Sequence, residues 1–201
     1  MKRSRIDIDR MRKQQGKTTL GTLVKYGAVI AGGTFLLKGC DAEDARVYTS
    51  VADCEDDNLL EQAQCKPAYQ QALSSWHREA PRYRQLTDCE YDFGQDSCKS
   101  LSQSYIPHMA GFMLPNNGSD SDVELDFDRP RGLTRSKQYY SPAFRKWTTA
   151  DGAVMGSVGT RNLSVSESSF KPLKGSSAVL GRGGFGRTVS SRSSSSSSWG
   201  S

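Results

Sequence analysis

The best helix signal in the chain is an apolar stripe that lies between two prolines. Pro67 suits a first helical turn, and Pro81 ends a helix. Apolar residues recur between them with the period of one helical face, at Tyr69, Ala72, Leu73, Trp76 and Ala80. A second, shorter helix is predicted to start at Thr87, with Glu90 completing a capping box and Gly94 ending it.

The second half of the chain has weaker patterns. Residues 105–114 are an apolar patch broken by Pro and Gly, which could pack on the helices, contact lipid or bind a partner. The acidic residues 116–128 that follow are expected to be a solvated linker. Apolar runs on both sides of Asp151-Gly152 predict a β-hairpin, because Asp-Gly is a preferred hairpin turn. Beyond Gly159 the chain is rich in Ser and Gly, which predicts disorder.

An uncharged run near the N-terminus predicts export. The run from Tyr26 to Leu37 has 12 residues and follows a basic segment. It is shorter than the roughly 20 residues of a membrane-spanning helix, and it has the layout of a secretory signal peptide. Gly39 directly before Cys40 resembles a bacterial lipoprotein processing site, so Cys40 is predicted to carry lipid. Lys38 does not fit that site, and an uncleaved, weakly anchored segment is the alternative.

Charge divides the chain into three parts. The formal net charge is +5, but residues 1–39 hold nine basic and two acidic groups, as expected of a signal. Residues 41–128 hold six basic and 18 acidic groups, and residues 129–201 hold 12 basic and two acidic groups. Either the basic half folds back on the acidic half, or it binds another anion. The candidate residues for an external anion are Arg129, Arg131, Arg135 and Lys137.

Four further cysteines predict a small module held together by disulfides. Such modules are typical of exported proteins with a small core. The spacings of 11, 24 and 9 residues include no close Cys-x2-Cys pair, which argues against a zinc site. The four residues are Cys54, Cys65, Cys89 and Cys98.

A short internal repeat indicates how these cysteines pair. Tyr48 lies five residues before the first Asp-Cys-Glu triplet, and Tyr83 lies five residues before the second. Pairing within each unit needs only local closure, whereas pairing across the units would have to span the predicted helix, which is about 20 Å long. The repeat therefore predicts the bonds Cys54–Cys65 and Cys89–Cys98.

Several motifs resemble functional sites but fail on inspection. The alternating acidic residues 120–128 lack the Gly and Glu positions of a calcium-binding EF-hand. Residues 181–186 contain Gly-x-Gly-x-x-Gly, but a dinucleotide site needs a helix directly afterwards, and here the chain runs into serines. Its Arg-Gly-Gly triplet resembles the tails of RNA-binding proteins, but an exported protein would not meet RNA. His77 and His108 have no neighbours in sequence that would form a catalytic set. No catalytic, metal or cofactor residue is predicted.

The chain resembles one family through an ordered series of short motifs. The series is Met1-Lys2-Arg3-Ser4, Gly39-Cys40, Ala52-Asp53-Cys54, Cys65 with Ala68-Tyr69, Ala80-Pro81-Arg82-Tyr83, Asp88-Cys89 with Phe93-Gly94, Met109-Ala110-Gly111-Phe112-Met113, Ser141-Pro142-Ala143 and Arg182-Gly183-Gly184-Phe185-Gly186. It is similar to that of the uncharacterised YgiB-like envelope proteins, domain of unknown function 1190. The chain departs from the family at Lys38, in the acidic insert after Pro115 and in its serine-rich end. The resemblance implies a lipoprotein-like precursor without an assigned activity, and it supplies no catalytic residues.

These observations predict a small, disulfide-stapled α-helical module with a β-hairpin and extensive irregular or disordered sequence. The expected segments are a signal peptide at 1–39, a tether at 40–46, the stapled helical module at 47–101, the apolar patch and acidic linker at 102–128, the hairpin region at 129–160 and a disordered basic tail at 161–201.

The function expected from the sequence is an interaction or structural role in the cell envelope. The protein is predicted to be exported, attached to a membrane through an acyl lipid such as palmitate on Cys40, and to bind an unidentified envelope protein rather than nucleic acid. Asp41 resembles an inner-membrane retention signal, which favours the inner membrane. No enzymatic activity and no cofactor are predicted. The alternatives are a binding module for an anionic envelope polymer and an enzyme without a recognisable motif.

Overall fold

The computed structural model describes residues 42–58, 61–118, 123–173 and 178–195. The predicted signal peptide and the predicted lipid site at Cys40 lie outside these residues. Within the described ranges the chain is a mixed α/β fold with four α-helices and ten strands in three sheets. The predicted fold class, a mainly helical module with extensive disorder, is therefore wrong.

The secondary structure is distributed along the whole described chain. The helices are α1 Val51–Asp57, α2 Gln62–Glu79, α3 Leu86–Phe93 and α4 Gly184–Ser195, with a 3-10 segment at Glu167–Phe170. The strands are β1 Ala42–Tyr48, β2 Arg82–Tyr83, β3 Cys98–Leu101, β4 Ser104–Pro107, β5 Gly111–Asn116, β6 Arg131–Leu133, β7 Lys146–Thr148, β8 Val154–Ser157, β9 Asn162–Ser166 and β10 Val179–Leu180.

The first sheet joins parts of the chain that are far apart in sequence. Its strand order is β6-β5-β1-β9, and β1 is antiparallel to both of its neighbours. Val47 of β1 lies opposite Met113 of β5, and Ala45 lies opposite Leu163 of β9. The segment expected to be a tether is thus mostly a central strand, and part of the expected tail is an edge strand.

Strands of the second sheet pack against α3. Its strand order is β10-β2-β4-β3, in which β10 runs parallel to β2. The chain between β10 and α4 then brings Phe185 and Val189 into a buried cluster with Tyr83 and Phe93. These two α4 residues are four positions apart and so lie on one helical face. The predicted hairpin is present as β7 and β8, which form a sheet of their own.

The core covers both faces of the first sheet. Tyr48, Phe112 and Leu114 pack with residues of α1 and α2 on one face, whereas Met113 and Trp147 belong to a separate buried cluster. Five of the six β5 residues are buried. A strand buried on both faces shows a continuous apolar run instead of an alternating one. This is why the sequence indicated only an apolar patch.

The helices differ from their predicted bounds. α2 begins at Gln62 rather than near Pro67, and Pro67 lies inside it. The carbonyl of Ala63, which loses its helical donor to the proline, belongs to an exposed residue that water can reach. α3 begins at Leu86 without a side-chain cap, so the predicted capping box is wrong. Gly94 does end α3, with a φ of 107° that favours glycine.

Two disulfides fasten the helices locally. Cys54 of α1 is bonded to Cys65 of α2, and Cys89 of α3 is bonded to Cys98 of β3. These are the two pairs that local closure favours. Each closes a short loop, and in the chain-entropy model such a bond contributes about 2–3 kcal/mol to the unfolding free energy.

Candidate functional site

One local arrangement, a tyrosine hydroxyl bonded to an aspartate, occurs twice in the acidic half, residues 41–128. In the first, the Tyr48 hydroxyl donates a hydrogen bond to Asp57 Oδ2 at 2.9 Å; in the second, the Tyr83 hydroxyl donates to Asp92 Oδ2 at 2.6 Å. In both copies the tyrosine ends a strand and precedes its aspartate by nine residues. Burial raises the pKa of Tyr48 to about 12, which keeps its hydroxyl a donor. The duplication predicted from the Asp-Cys-Glu triplets therefore has a structural counterpart.

The first copy is closed by an arginine from the C-terminal half. Arg161 pairs with Asp53, and its guanidinium lies 5.4 Å from the ring centroid of Tyr48. Burial alone would raise the pKa of Asp53, but hydrogen bonds from Thr49 and Arg161 outweigh it and lower that pKa. The carboxylate of Asp57 is held by Arg46 at 3.0 Å. All these groups are matched within the protein.

The second copy holds the start of α4. The buried carboxylate of Asp92 accepts hydrogen bonds from the backbone N–H groups of Gly183 at 2.8 Å and Phe185 at 3.1 Å. The glycine-rich motif therefore does lie between a strand and a helix, and the expectation that no helix follows it was wrong. A helix N-terminus attracts anions. Here the side chain of Asp92 already fills that position, which leaves no place for a pyrophosphate.

The basic half folds back on the acidic half, which was the first of the two alternatives. Of the residues proposed to bind an external anion, Arg129 is bonded to Glu43 at 2.7 Å and to Asp126 at 2.6 Å. Arg131 forms a buried pair with Glu79. These four residues thus do not form one free basic surface.

An exposed tyrosine cluster lies on the surface beside the second copy. It consists of Tyr91, Tyr139 and Tyr140, which are 37%, 80% and 47% exposed. The ring centroids are 5.2 Å apart for Tyr91 and Tyr140, and 5.3 Å apart for Tyr139 and Tyr140. The guanidinium of Arg182 lies 4.7 Å from the ring centroid of Tyr91. The cluster therefore presents adjoining aromatic faces with one cation.

Backbone contacts fix the position of the tyrosine cluster. Tyr91 lies in the last turn of α3, and the Tyr140 hydroxyl donates to its carbonyl at 2.8 Å. Ser136 lies three residues after the end of β6, and its Oγ donates a hydrogen bond to the carbonyl of Asp92 at 2.7 Å. The loop that carries Tyr139 is thus attached to α3. Tyr139 and Tyr140 fall within the predicted hairpin region, residues 129–160, and their polar neighbours, Lys-Gln before and Ser after, are a sequence signal of exposure.

Two ion pairs line one cavity. This cavity, of about 280 Å³, lies beside α2 and the 3-10 segment. Arg131 and Glu79 on its wall form an ion pair, as do Lys171 and Glu167 at 3.5 Å. Among the described residues no three His, Cys, Asp or Glu side chains are grouped to hold a metal ion. No helix in the described ranges has the length and apolar character needed to cross a membrane.

A family described as "Protein of unknown function (DUF1190)" matches residues 42–196. The chain belongs to this DUF1190 family. The match spans all of the residues described above, and the resemblance to YgiB-like proteins is confirmed.

Relatives of this DUF1190 chain occur in several bacteria. It is 28% identical over 186 residues to a UPF0441 protein of Klebsiella pneumoniae, which covers 83% of this chain and 81% of that protein. Similar UPF0441 proteins are found in Pectobacterium atrosepticum, at 30% identity over the same shares, and in Serratia proteamaculans, at 28% identity over 83% of this chain and 82% of that protein. No solved structure matches the chain. The family is uncharacterised, and these names assign it no activity.

Proposed function

We propose that this DUF1190 chain is an exported interaction protein that binds a protein partner through the tyrosine cluster. The observation that carries the proposal is the set of three tyrosine rings that contact one another in solvent beside Arg182. Single exposed hydrophobic residues are common, whereas contiguous exposed patches often mark interaction sites. Tyr and Arg are also the residue types that most often dominate the free energy of protein–protein binding.

The charges around the tyrosine cluster favour a protein partner over an anionic polymer. Arg182 is the cation in contact with the rings, and its Nε lies 3.9 Å from Asp88 Oδ1. Charged groups are depleted from the centre of protein–protein interfaces, and aromatic residues and Arg are enriched there. Two of the four residues that the sequence suggested for a polyanion, Arg129 and Arg131, are instead engaged in ion pairs within the chain. The proposed role is therefore binding without catalysis.

The proposed location is the periplasmic side of a membrane, with Cys40 as the lipid anchor. The sequence features of residues 1–40 support this location. Two disulfides also support it, since disulfides persist in oxidising compartments. The inner membrane is favoured through Asp41.

We expect Cys40 to be acylated and to be the first residue of the mature chain. Intact-mass measurement of protein purified from membranes should give the mass of residues 40–201 plus lipid, and Cys40→Ser should abolish the added mass. A mass that corresponds to residues 1–201, or an unmodified Cys40, contradicts the anchor. Neither outcome bears on the tyrosine cluster, which is tested separately.

Photo-crosslinking in cells tests the tyrosine cluster. A photoreactive amino acid at position 139 should give one discrete adduct with a second protein. The same probe at position 171, where the native side chain is 67% exposed, is the matched control and should not give that adduct. Loss of a central aromatic contact typically costs about 1–2 kcal/mol of binding free energy, or roughly tenfold in affinity. Tyr91→Ser combined with Tyr140→Ser should therefore reduce the adduct at least tenfold.

The double variant separates a specific partner from random capture. An adduct that persists at full yield in Tyr91→Ser/Tyr140→Ser contradicts the proposal, and so does an equal yield from positions 139 and 171. Loss of the adduct on addition of soluble anionic polymer fragments would assign the cluster to the polymer instead. The melting temperature of the double variant must match that of the parent chain.

A further inference from the structure

A basic cluster lies at the edge of the second sheet opposite β10, where Lys99 of β3 contacts His77 of α2. It consists of His77, Lys99, His108 and Lys137. His77 lies near the C-terminal end of α2, Lys99 lies on β3, His108 directly follows β4, and Lys137 lies in the loop after β6. Four separate parts of the fold thus each contribute one basic side chain.

The contact between Lys99 and His77 determines the protonation state of the His77 ring. Lys99 Nζ lies 2.9 Å from His77 Nε2. A protonated lysine can only donate, so Nε2 is the acceptor and His77 is neutral, with its proton on Nδ1. Burial and then the charge of Lys99 lower the pKa of His77 below its usual 6.5. Burial, Lys99 and Lys137 likewise lower the pKa of His108.

No described carboxylate is paired with this cluster. Arg82 of β2 adds another cation next to it, since its Nη2 donates to the His77 carbonyl at 2.9 Å. Glu79, which is close to His77 in the sequence of α2, is buried in its pair with Arg131. Arg129, Arg161 and Arg182 of the C-terminal half are matched by carboxylates, whereas in the described ranges no ion pair joins Lys99 or Lys137 to a carboxylate. An anion is the chemical group that this arrangement lacks.

We propose that the basic cluster is a binding site for a phosphate group, with Lys99 as its central cation. Lysine binds phosphate as a compact point charge with three donors. On protonation both rings also become donors, so that His77 would give up its acceptor role and turn Nε2–H toward the anion. The group could come from free phosphate or from a lipid headgroup, because both present the same oxyanion. The site shares no residue with the tyrosine cluster, although Lys137 lies two residues from Tyr139, and the proposal does not depend on the role of that cluster.

The histidines couple binding of the anion to pH. In the free protein both pKa values lie below 6.5, so both rings are neutral at pH 7. A bound dianion stabilises the protonated rings and raises both pKa values, and by linkage binding then takes up protons. Affinity for the phosphate dianion, corrected for the fraction of inorganic phosphate that is dianionic at each pH, should therefore rise as the pH falls below 7 through the range in which the free histidines become protonated, and it should be lowest near pH 8.

The chain has two histidines, so both ring C–H signals can be followed by NMR in the full-length protein. Inorganic phosphate is titrated against chloride of equal ionic strength from pH 5.5 to 8. We expect phosphate, and not chloride, to raise both histidine pKa values. Lys99→Met should weaken phosphate binding at least tenfold, whereas Lys171→Met, which removes an exposed lysine paired with Glu167, should leave it unchanged.

A second variant keeps the proposal testable if Lys99→Met does not fold. His77→Gln retains an acceptor for Lys99 but cannot become protonated, so phosphate binding should persist with a weaker dependence on pH. The proposal is overturned if phosphate and chloride act alike, or if Lys99→Met and Lys171→Met bind phosphate equally.

Vesicles identify the source of the phosphate group. Their composition is phosphatidylcholine with or without phosphatidic acid, and the difference between the parent chain and Lys99→Met is measured. A Lys99-dependent gain with phosphatidic acid assigns a lipid headgroup, and phosphate binding without such a gain assigns a soluble phosphate. Absence of both forms of binding rejects the site.

Discussion

Replacing Arg131 with Leu should lower the unfolding free energy by about 3–5 kcal/mol. Arg131 and Glu79 are paired with side chains that are 5% and 6% exposed, so removal of the guanidinium leaves a carboxylate buried without its counter-charge. The pair joins β6 of the first sheet to the end of α2. Denaturant unfolding of the two proteins measures the difference directly from the midpoint and slope.

The double variant distinguishes loss of a contact from isolation of a charge. Arg131→Leu combined with Glu79→Leu should recover most of the stability, because well-packed apolar residues often replace a buried ion pair without cost. Lys171→Leu is the surface control: its pair with Glu167 has exposed side chains, and its removal should cost less than about 1 kcal/mol. If Arg131→Leu were as mild as Lys171→Leu, the buried pair would have no structural importance.

Asp92→Ala should lower the unfolding free energy by about 2–4 kcal/mol and release α4. The substitution leaves the Tyr83 hydroxyl and the amides of Gly183 and Phe185 without their acceptor, and an unsatisfied buried donor costs roughly 1–3 kcal/mol. Amide hydrogen exchange should accelerate in residues 183–190 more than in β1.

The internal repeat supplies a control for Asp92. Asp57 holds the equivalent position beside Tyr48, but its side chain is 23% exposed and its other partners are arginines. Asp57→Ala should therefore cost less than Asp92→Ala and leave exchange in α4 unchanged. Equal exchange rates in α4 for the two variants would show that Asp92 does not hold the helix.

Local features of this fold were accessible from the sequence. The internal repeat indicated the two disulfides because each bond closes a short loop within its own unit, and Asp151-Gly152 indicated the β7–β8 hairpin because the turn is set by its own residues. The stripe that contains Trp76 indicated α2. These signals depend only on residues close together in the sequence, so one sequence is enough to detect them.

The sheets were missed because their evidence is not local. β1 carries three charged residues among its seven and shows no regular alternation, and its strand character comes from β5 and β9, which lie far along the chain. β9 does alternate, with Leu163 and Val165 buried, but the abundance of serine around it was interpreted as disorder. For the same reason no sequence pattern brought Tyr91 next to Tyr140, or Lys99 next to His77. Both candidate sites arise from tertiary contacts.

The position at which β1 begins would limit how far a protein anchored through Cys40 can extend from its membrane. The described fold starts at Ala42, two residues after Cys40. Two extended residues cover only about 7 Å. With a lipid on Cys40, as proposed above, the folded domain is held against the bilayer surface and cannot reach a partner across the periplasm. Its partners must then be membrane proteins, or other molecules, that approach within one domain's width of the same membrane.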